Sequence, residues 1–411
     1  MKLTAILLLL PFTLLAQDAF EQPPTLSAAA ILKPEFAAGP GFTVRDTVPT
    51  YAGRNAYVID SDFGVFEADG NTMLVRRIRE IAAIARLGEV SRTDEFKSAL
   101  ASAVKSPLLV AKGLVENPVG TVTGVPKGLW KFMNRTGQSI KEKAAGRERS
   151  QYEDSNAAQL VGFAKAKRDV ALKLGVDPYS SNEVLQKGLN SVSWASYAGK
   201  MTFTLATVPV SGAAGLALSA TGISSTFENA IRDQSPGDLR LASLKRLLAM
   251  GCARADADAF LNNISFSPSV QTALVLHIDS LKGVANRPAF IQLAGSLCDS
   301  EGDALFFAQT ARLLAELHAN GRKLARIETL GSLPVAIGAD GTVIVALEWD
   351  YAAWTQNAAN FVDQLKAVKF GTKAPTGFVI ALSGDASPMV QQKLHDAGIT
   401  LGTRLAPGPL Q

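Results

Sequence analysis

The sequence predicts an α+β protein: a predominantly helical N-terminal and central region with a small N-terminal β-hairpin, followed by a C-terminal mixed α/β domain of order ββαβαβ. Three observations carry this. Apolar residues recur at three- and four-residue steps through most of residues 72–321, with Ser-Pro starts and glycine stops. Residues 57–66 show short apolar runs broken by turn residues. After residue 323, apolar strand-like runs alternate with helical periods.

In chain order, Met1 and Lys2 precede an apolar run from Ala5 to Leu15, and Ala16 stands where a signal peptidase cuts. The run is too short to span a bilayer. Residues 1–16 therefore read as a signal peptide cleaved after Ala16, which implies a periplasmic or secreted protein. Residues 17–50, rich in Pro, Ala and Gly without helical or strand period, read as an extended leader. The mainly helical domain then occupies residues 51–322 and the α/β domain residues 323–411.

The N-terminal hairpin is expected from Tyr57-Val58-Ile59 and Val65-Phe66 on either side of Asp60-Ser61-Asp62. Thr72 to Leu87 reads as an amphipathic helix, with Leu74, Ile78, Ile81 and Ile84 on one face and Arg76, Arg77, Arg79 and Glu80 between them. Ser91 with Asp94 predicts the cap of the next helix. Ser235-Pro236 with Asp238, and Ser267-Pro268 with Gln271, predict two more starts.

In the C-terminal domain, a hairpin is expected from Val335–Ile337 and Thr342–Leu347, then a helix over Tyr351–Val368 and a strand over Gly377–Leu382. A helix opening at Ser387-Pro388 and a strand over Ile399–Thr403 complete the order.

Composition narrows the function classes. With 47% hydrophobic and 19% charged residues over 411 positions, the chain is apolar and lightly charged, yet too mixed for a multi-span membrane protein. Its two cysteines, Cys252 and Cys298, leave two readings open: a disulfide in an oxidising compartment, or two buried thiols.

Between Val115 and Ala145, Gly120, Gly124 and Gly128 recur every four residues ahead of a basic, apolar-striped stretch. Lys127, Trp130, Lys131 and Arg135 are the candidate binding residues there, suited to an anionic lipid surface or another envelope protein. Residues 127–173 hold eleven basic residues against five acidic ones, where the whole chain carries only +4. Aromatics do not interleave with these basic residues as stacking on bases requires, which argues against nucleic acid. Residues 201–227 are uncharged and Pro209 interrupts them, so they read as a buried helical hairpin, with membrane insertion as the alternative.

No residue set has the spacing of a known active site or metal centre, so no cofactor is expected. His277, His318 and His395 are scattered, the last two at helix C-termini where a cation suits the dipole. Ser102-x-x-Lys105 matches a serine and lysine pair only by its spacing. The weak catalytic candidates are Glu348, Asp350 and Asp385, carboxylates at the C-terminal ends of strands in the α/β domain. Ser383-Gly384-Asp385 leads toward a helix N-terminus that suits an anion.

The runs Tyr57-Val-Ile-Asp-Ser-Asp-Phe-Gly-Val-Phe-Glu, Asn117-Pro-Val-Gly-Thr-Val-Thr-Gly-Val-Pro-Lys-Gly-Leu-Trp, Gly175-Val-Asp-Pro-Tyr-Ser-Ser-Asn and Leu382-Ser-Gly-Asp-Ala-Ser-Pro resemble those of an uncharacterised group of exported bacterial proteins. That resemblance implies bacterial export and moves no activity onto any position. The expectation is an exported envelope protein that binds a partner or the membrane surface through the basic glycine-repeat segment, 113–149. The alternative is a hydrolase-like enzyme using the C-terminal sheet.

Overall fold

The computed structural model describes residues 20–98, 157–199, 225–369, 374–406 and 408–411. Residues 1–16, Ser102 and Lys105, the segment with Lys127, Trp130, Lys131 and Arg135, and residues 201–224 lie outside them. The described chain is α+β, built on two main sheets with helices packed against them.

The first sheet forms from residues 25–69. Its strands are β1 (Thr25–Ser27), β2 (Ala38–Gly39), β3 (Phe42–Val44), β4 (Thr47–Tyr51), β5 (Arg54–Ser61) and β6 (Gly64–Asp69). They run in the order β1-β4-β5-β3-β2, with β6 antiparallel to β5. Much of the segment read as a leader is therefore strand. Its strands are only two to five residues long, too short for a period of two to show against Pro and Gly. Residues 57–66 belong to a six-stranded sheet rather than to an isolated hairpin.

Helix α1 (Asn71–Ser91) follows β6 and packs on it. It runs to Ser91, whose hydroxyl bonds back to the Leu87 carbonyl at 2.7 Å. The cap of the next helix is Thr93, which accepts the Phe96 amide at 3.1 Å, so Ser91 is displaced from that role. Helices α2 (Ala157–Lys173) and α3 (Glu183–Gly199) pack together, and α3 also packs on α1.

Helices α4 (Ser225–Asp233), α5 (Pro236–Ala249), α6 (Arg254–Asn262), α7 (Pro268–Ser280), α8 (Pro288–Leu297) and α9 (Glu301–Ala319) complete the helical region. Ser235 and Asp238 form a full capping box. Ser267 accepts the Val270 amide, but Gln271 turns away to the Phe260 carbonyl. No described helix is long and apolar enough to cross a membrane.

The second sheet contains β7 (Leu324–Leu330), β8 (Leu333–Gly338), β9 (Thr342–Leu347), β11 (Gly377–Leu382) and β13 (Ile399–Gly402), in the order β13-β11-β9-β8-β7. Its three strands β9, β11 and β13 are parallel; β7 and β8 are antiparallel. Strand β7 is absent from the sequence reading because Arg326, Glu328 and Thr329 interrupt its apolar residues. Two residues each of β10 (Tyr351–Ala352) and β12 (Asp385–Ala386) pair in parallel beside it.

Helix α10 is Gln356–Ala367 and α11 is Pro388–Asp396. The former starts after Thr355, which accepts the Ala358 amide, and not at Tyr351. Helix α9 packs on β9, and α8 packs on β7 and β8. The largest of three apolar clusters among the described residues includes side chains from Ala28 to Leu410.

His318 departs from its expected role as a cation at a helix end. Its Nδ1 accepts the Leu324 amide at 3.0 Å, and burial with Lys323 nearby holds its pKa below the usual value. His395 lies exposed near Asp396. Cys252 and Cys298 are buried free thiols, and burial raises the pKa of both.

Charged residues between the apolar positions of α1 form an ionic junction. Glu80 accepts from Arg77 at 2.8 Å, from Asn182 at 3.0 Å and from Ser180 at 2.5 Å. Arg77 reaches on to Glu301 at the start of α9, and Arg76 to Asp177 before α3. Burial alone would raise Glu301, but Arg77 and Arg76 outweigh it and hold its carboxyl below the usual range. Removing one member of such a buried set strands the others. Glu80→Ala is expected to lower unfolding free energy by about 3–5 kcal/mol in a denaturant titration; a loss under about 1 kcal/mol would mean the junction contributes little.

Candidate binding cleft

The stretch from Leu347 to Trp354 leaves β9 and runs between the two sheets. Gly53 accepts the amides of Asp350 at 2.7 Å and Tyr351 at 3.1 Å. It stands at φ +82°, and a Cβ there would lie 2.4 Å from the Trp349 ring. A larger residue fails on both backbone conformation and space.

The chain leaves the strand after Leu347 and bends at Asp350. Leu347, Trp349 and Tyr351 line a cleft of about 990 Å³. Glu348 and Asp350 are buried on the other side, toward α1.

The Glu348 carboxylate accepts the Thr72 hydroxyl at 2.6 Å. Asp350 accepts the Asn55 amide at 2.9 Å and the Asn71 amide at 3.2 Å, the latter at the N-terminus of α1. These bonds tie the end of β9 to β5 and to the first turn of α1. A carboxylate at a helix N-terminus satisfies amides that have no partner within the helix.

Burial, then the charge of Asp350, pushes Glu348 up to about 8. Burial pushes Asp350 up to about 7, against the lowering effect of the Asn55 and Asn71 amides. The charge of Asp350 thus disfavours ionisation of Glu348. Glu348 is the better holder of a proton, because Asp350 has two amides and a helix dipole favouring its charge.

Asp385 joins this region through its main chain. Its amide donates to the Asp350 carbonyl at 3.0 Å, and Gly384 donates to the Trp349 carbonyl at 2.7 Å. A Cβ on Gly384 would lie 2.0 Å from the Asp350 carbonyl, which explains the glycine. The Asp385 carboxylate faces Arg404, with Nε at 3.7 Å. The amides of residues 383–385 are occupied by the carbonyls of Leu347, Trp349 and Asp350. The cap of α11 is Ser387, which accepts the Val390 amide and donates to Glu21 at 2.5 Å.

Thus the backbone brings Glu348, Asp350 and Asp385 together, but none of their side chains lines the cleft. Among the described residues, no group of acids, histidines or cysteines has the arrangement of a metal site.

The cleft is what sequence reasoning missed. Its floor is aliphatic and buried, formed by Leu347, Ile380, Leu382, Val390 and Leu394. Aromatic rings of Phe306, Phe307, Trp349, Trp354 and Phe361 form the walls. The N-terminal segment from Phe20 to Pro24 crosses one side, held where the Glu21 amide donates to the Trp354 carbonyl at 2.8 Å. Exposed amides of Gln356, Asn357, Asn360 and Gln364 along α10 form the mouth. The clustering of Trp349, Tyr351 and Trp354, three aromatics within six residues, was the available signal.

A buried acid whose pKa is raised in the folded protein holds a proton that the unfolded chain releases. Stability from that group is therefore present at acid pH and falls as pH rises from the ordinary carboxylate range toward about 8. Glu348→Gln keeps the acceptor for Thr72 and removes the titration. The variant should gain about 3–8 °C in Tm over the parent at pH 8 and little at pH 5. An equal shift at both pH values would contradict the proton assignment.

No family model, curated protein or solved structure matches the chain, so its function has to be argued from the cleft itself.

Proposed function

We propose that the protein is an exported, non-catalytic binding protein that holds a small apolar ligand in the cleft between the second sheet and α10. The observation that carries this reading is the cleft itself: about 990 Å³, lined by aliphatic and aromatic side chains, with Glu348 and Asp350 outside it and the lining carboxylates of Glu21 and Asp303 bonded to protein donors. Ligand sites are typically concave, about 300–1,000 Å³, and mostly apolar with a few polar groups. General acid or base catalysis needs a titrating group within reach of the substrate. Glu348 and Asp350 are spent on Thr72, Asn55 and the start of α1.

Export is supported by Lys2, the apolar run from Ala5 to Leu15 and the small Ala16. Protein recovered from the periplasm or medium of a bacterial host should begin at Gln17 by N-terminal sequencing. Full-length chain retained in the cytosol would remove that half of the proposal.

For the cleft, the neutral solvatochromic dye Nile red should bind saturably with a blue-shifted, enhanced emission. Phe361→Glu, which sets a charge on the half-buried wall, should weaken binding by at least about tenfold while circular dichroism stays unchanged. Glu348→Gln should bind the dye like the parent. Equal binding by Phe361→Glu, or none by the parent, would refute the site.

A further inference from the structure

We infer that the cleft takes an uncharged amphiphile with a hydrocarbon chain, seated chain-inward with its polar head among the amides of α10. This rests on the cleft being the binding site, and it adds the ligand's charge and orientation.

Among the described residues, the charged ones that line the cleft are Glu21, Arg54 and Asp303, with no lysine or histidine. Arg54 is already committed. It donates to Asp69 at 3.1 Å through Nε and to Asp303 at 2.9 Å through Nη1, and its Nη2 lies 2.9 Å from Asp69. Asp303 also accepts the Ser300 hydroxyl at 2.7 Å as part of the α9 cap. Glu21 accepts the Trp354 amide and the Ser387 hydroxyl, each at 2.5 Å.

The one cation therefore lies between two aspartates, and the remaining carboxylate faces protein donors. A ligand carboxylate or phosphate would enter a lining where acids outnumber bases, with no free guanidinium or ammonium to receive it. An ammonium head would find both lining carboxylates already bonded. What stays available is neutral. Gln356 donates to Asn360 at 2.9 Å, and Asn357 and Gln364 stand exposed at the same mouth. Side-chain amides both donate and accept, which suits hydroxyl and ester groups. The buried floor from Leu347 to Leu394 has no charged residue to meet a chain.

Three ligands of equal chain length separate these cases: 1-monolauroylglycerol, laurate and dodecyltrimethylammonium, each below its micelle concentration. Competed against bound Nile red at neutral pH, the glyceride should displace the dye at a concentration at least about tenfold lower than either ion. Asn357→Lys, an exposed change at the mouth, should then improve laurate by about tenfold and leave the glyceride within about twofold. If laurate or the ammonium competes as well as the glyceride in the parent, the inference fails while the cleft remains a binding site. If the parent binds the dye but none of the three displaces it, the inference also fails. If the dye itself does not bind, both readings fall together.

Discussion

The carboxylate of Asp350 and the carbonyl of Gly53 join the two sheets. One takes amides from β5 and from the first turn of α1; the other takes two amides from the stretch that leaves β9. With the Thr72 hydroxyl on Glu348 and the Gly384 amide on the Trp349 carbonyl, these bonds position the stretch from Leu347 to Trp354. The cleft wall and the buried acids are two faces of one constraint.

That constraint accounts for acids that look chemically promising and yet have a structural role. Desolvation raises the proton affinity of Glu348 and Asp350, the same signature found at many catalytic sites. Access separates the two cases. A raised pKa in a group sealed behind a strand changes stability with pH; the same shift in a cleft changes reactivity. The opposite device operates at the junction of α1, where Glu301 is held ionised by two arginines. One end of α1 is thus held by the Asp350 carboxylate, and its middle by ion pairs.

The cleft is assembled from parts distant in the chain: the crossing segment at Phe20–Pro24, the start of α9, the end of β9, and the inward faces of α10 and α11. The lack of a free cation among its described lining residues is also a tertiary product. Arg54 would offer a cation to any ligand if Asp69 and Asp303 did not hold it, and Asp303 lies far along the chain from both. Neutralised charge, buried aliphatic side chains and amides at the rim together set what the cleft accepts.

Local features were legible from residue order because their causes are local. Ser235 and Asp238 cap α5 through atoms three residues apart, and the Ser-Pro starts of α7 and α11 follow the same short-range chemistry. The helical period of α1 and the apolar runs of β9 and β11 likewise follow from side chains seeking one interior. What required the folded chain was pairing across distance. The short strands of residues 25–51 and the polar-interrupted β7 exist because partners supply their hydrogen bonds. Arg76 and Arg77 of α1 are buried where acids from α9 and residue 177 meet them. Glu348 and Asp350 stood out in the sequence as acids near a strand end, but which side they faced depended on where Asn55 and Asn71 lay. Residue type determined what each group can do, and only tertiary contact decided what each group is left free to do.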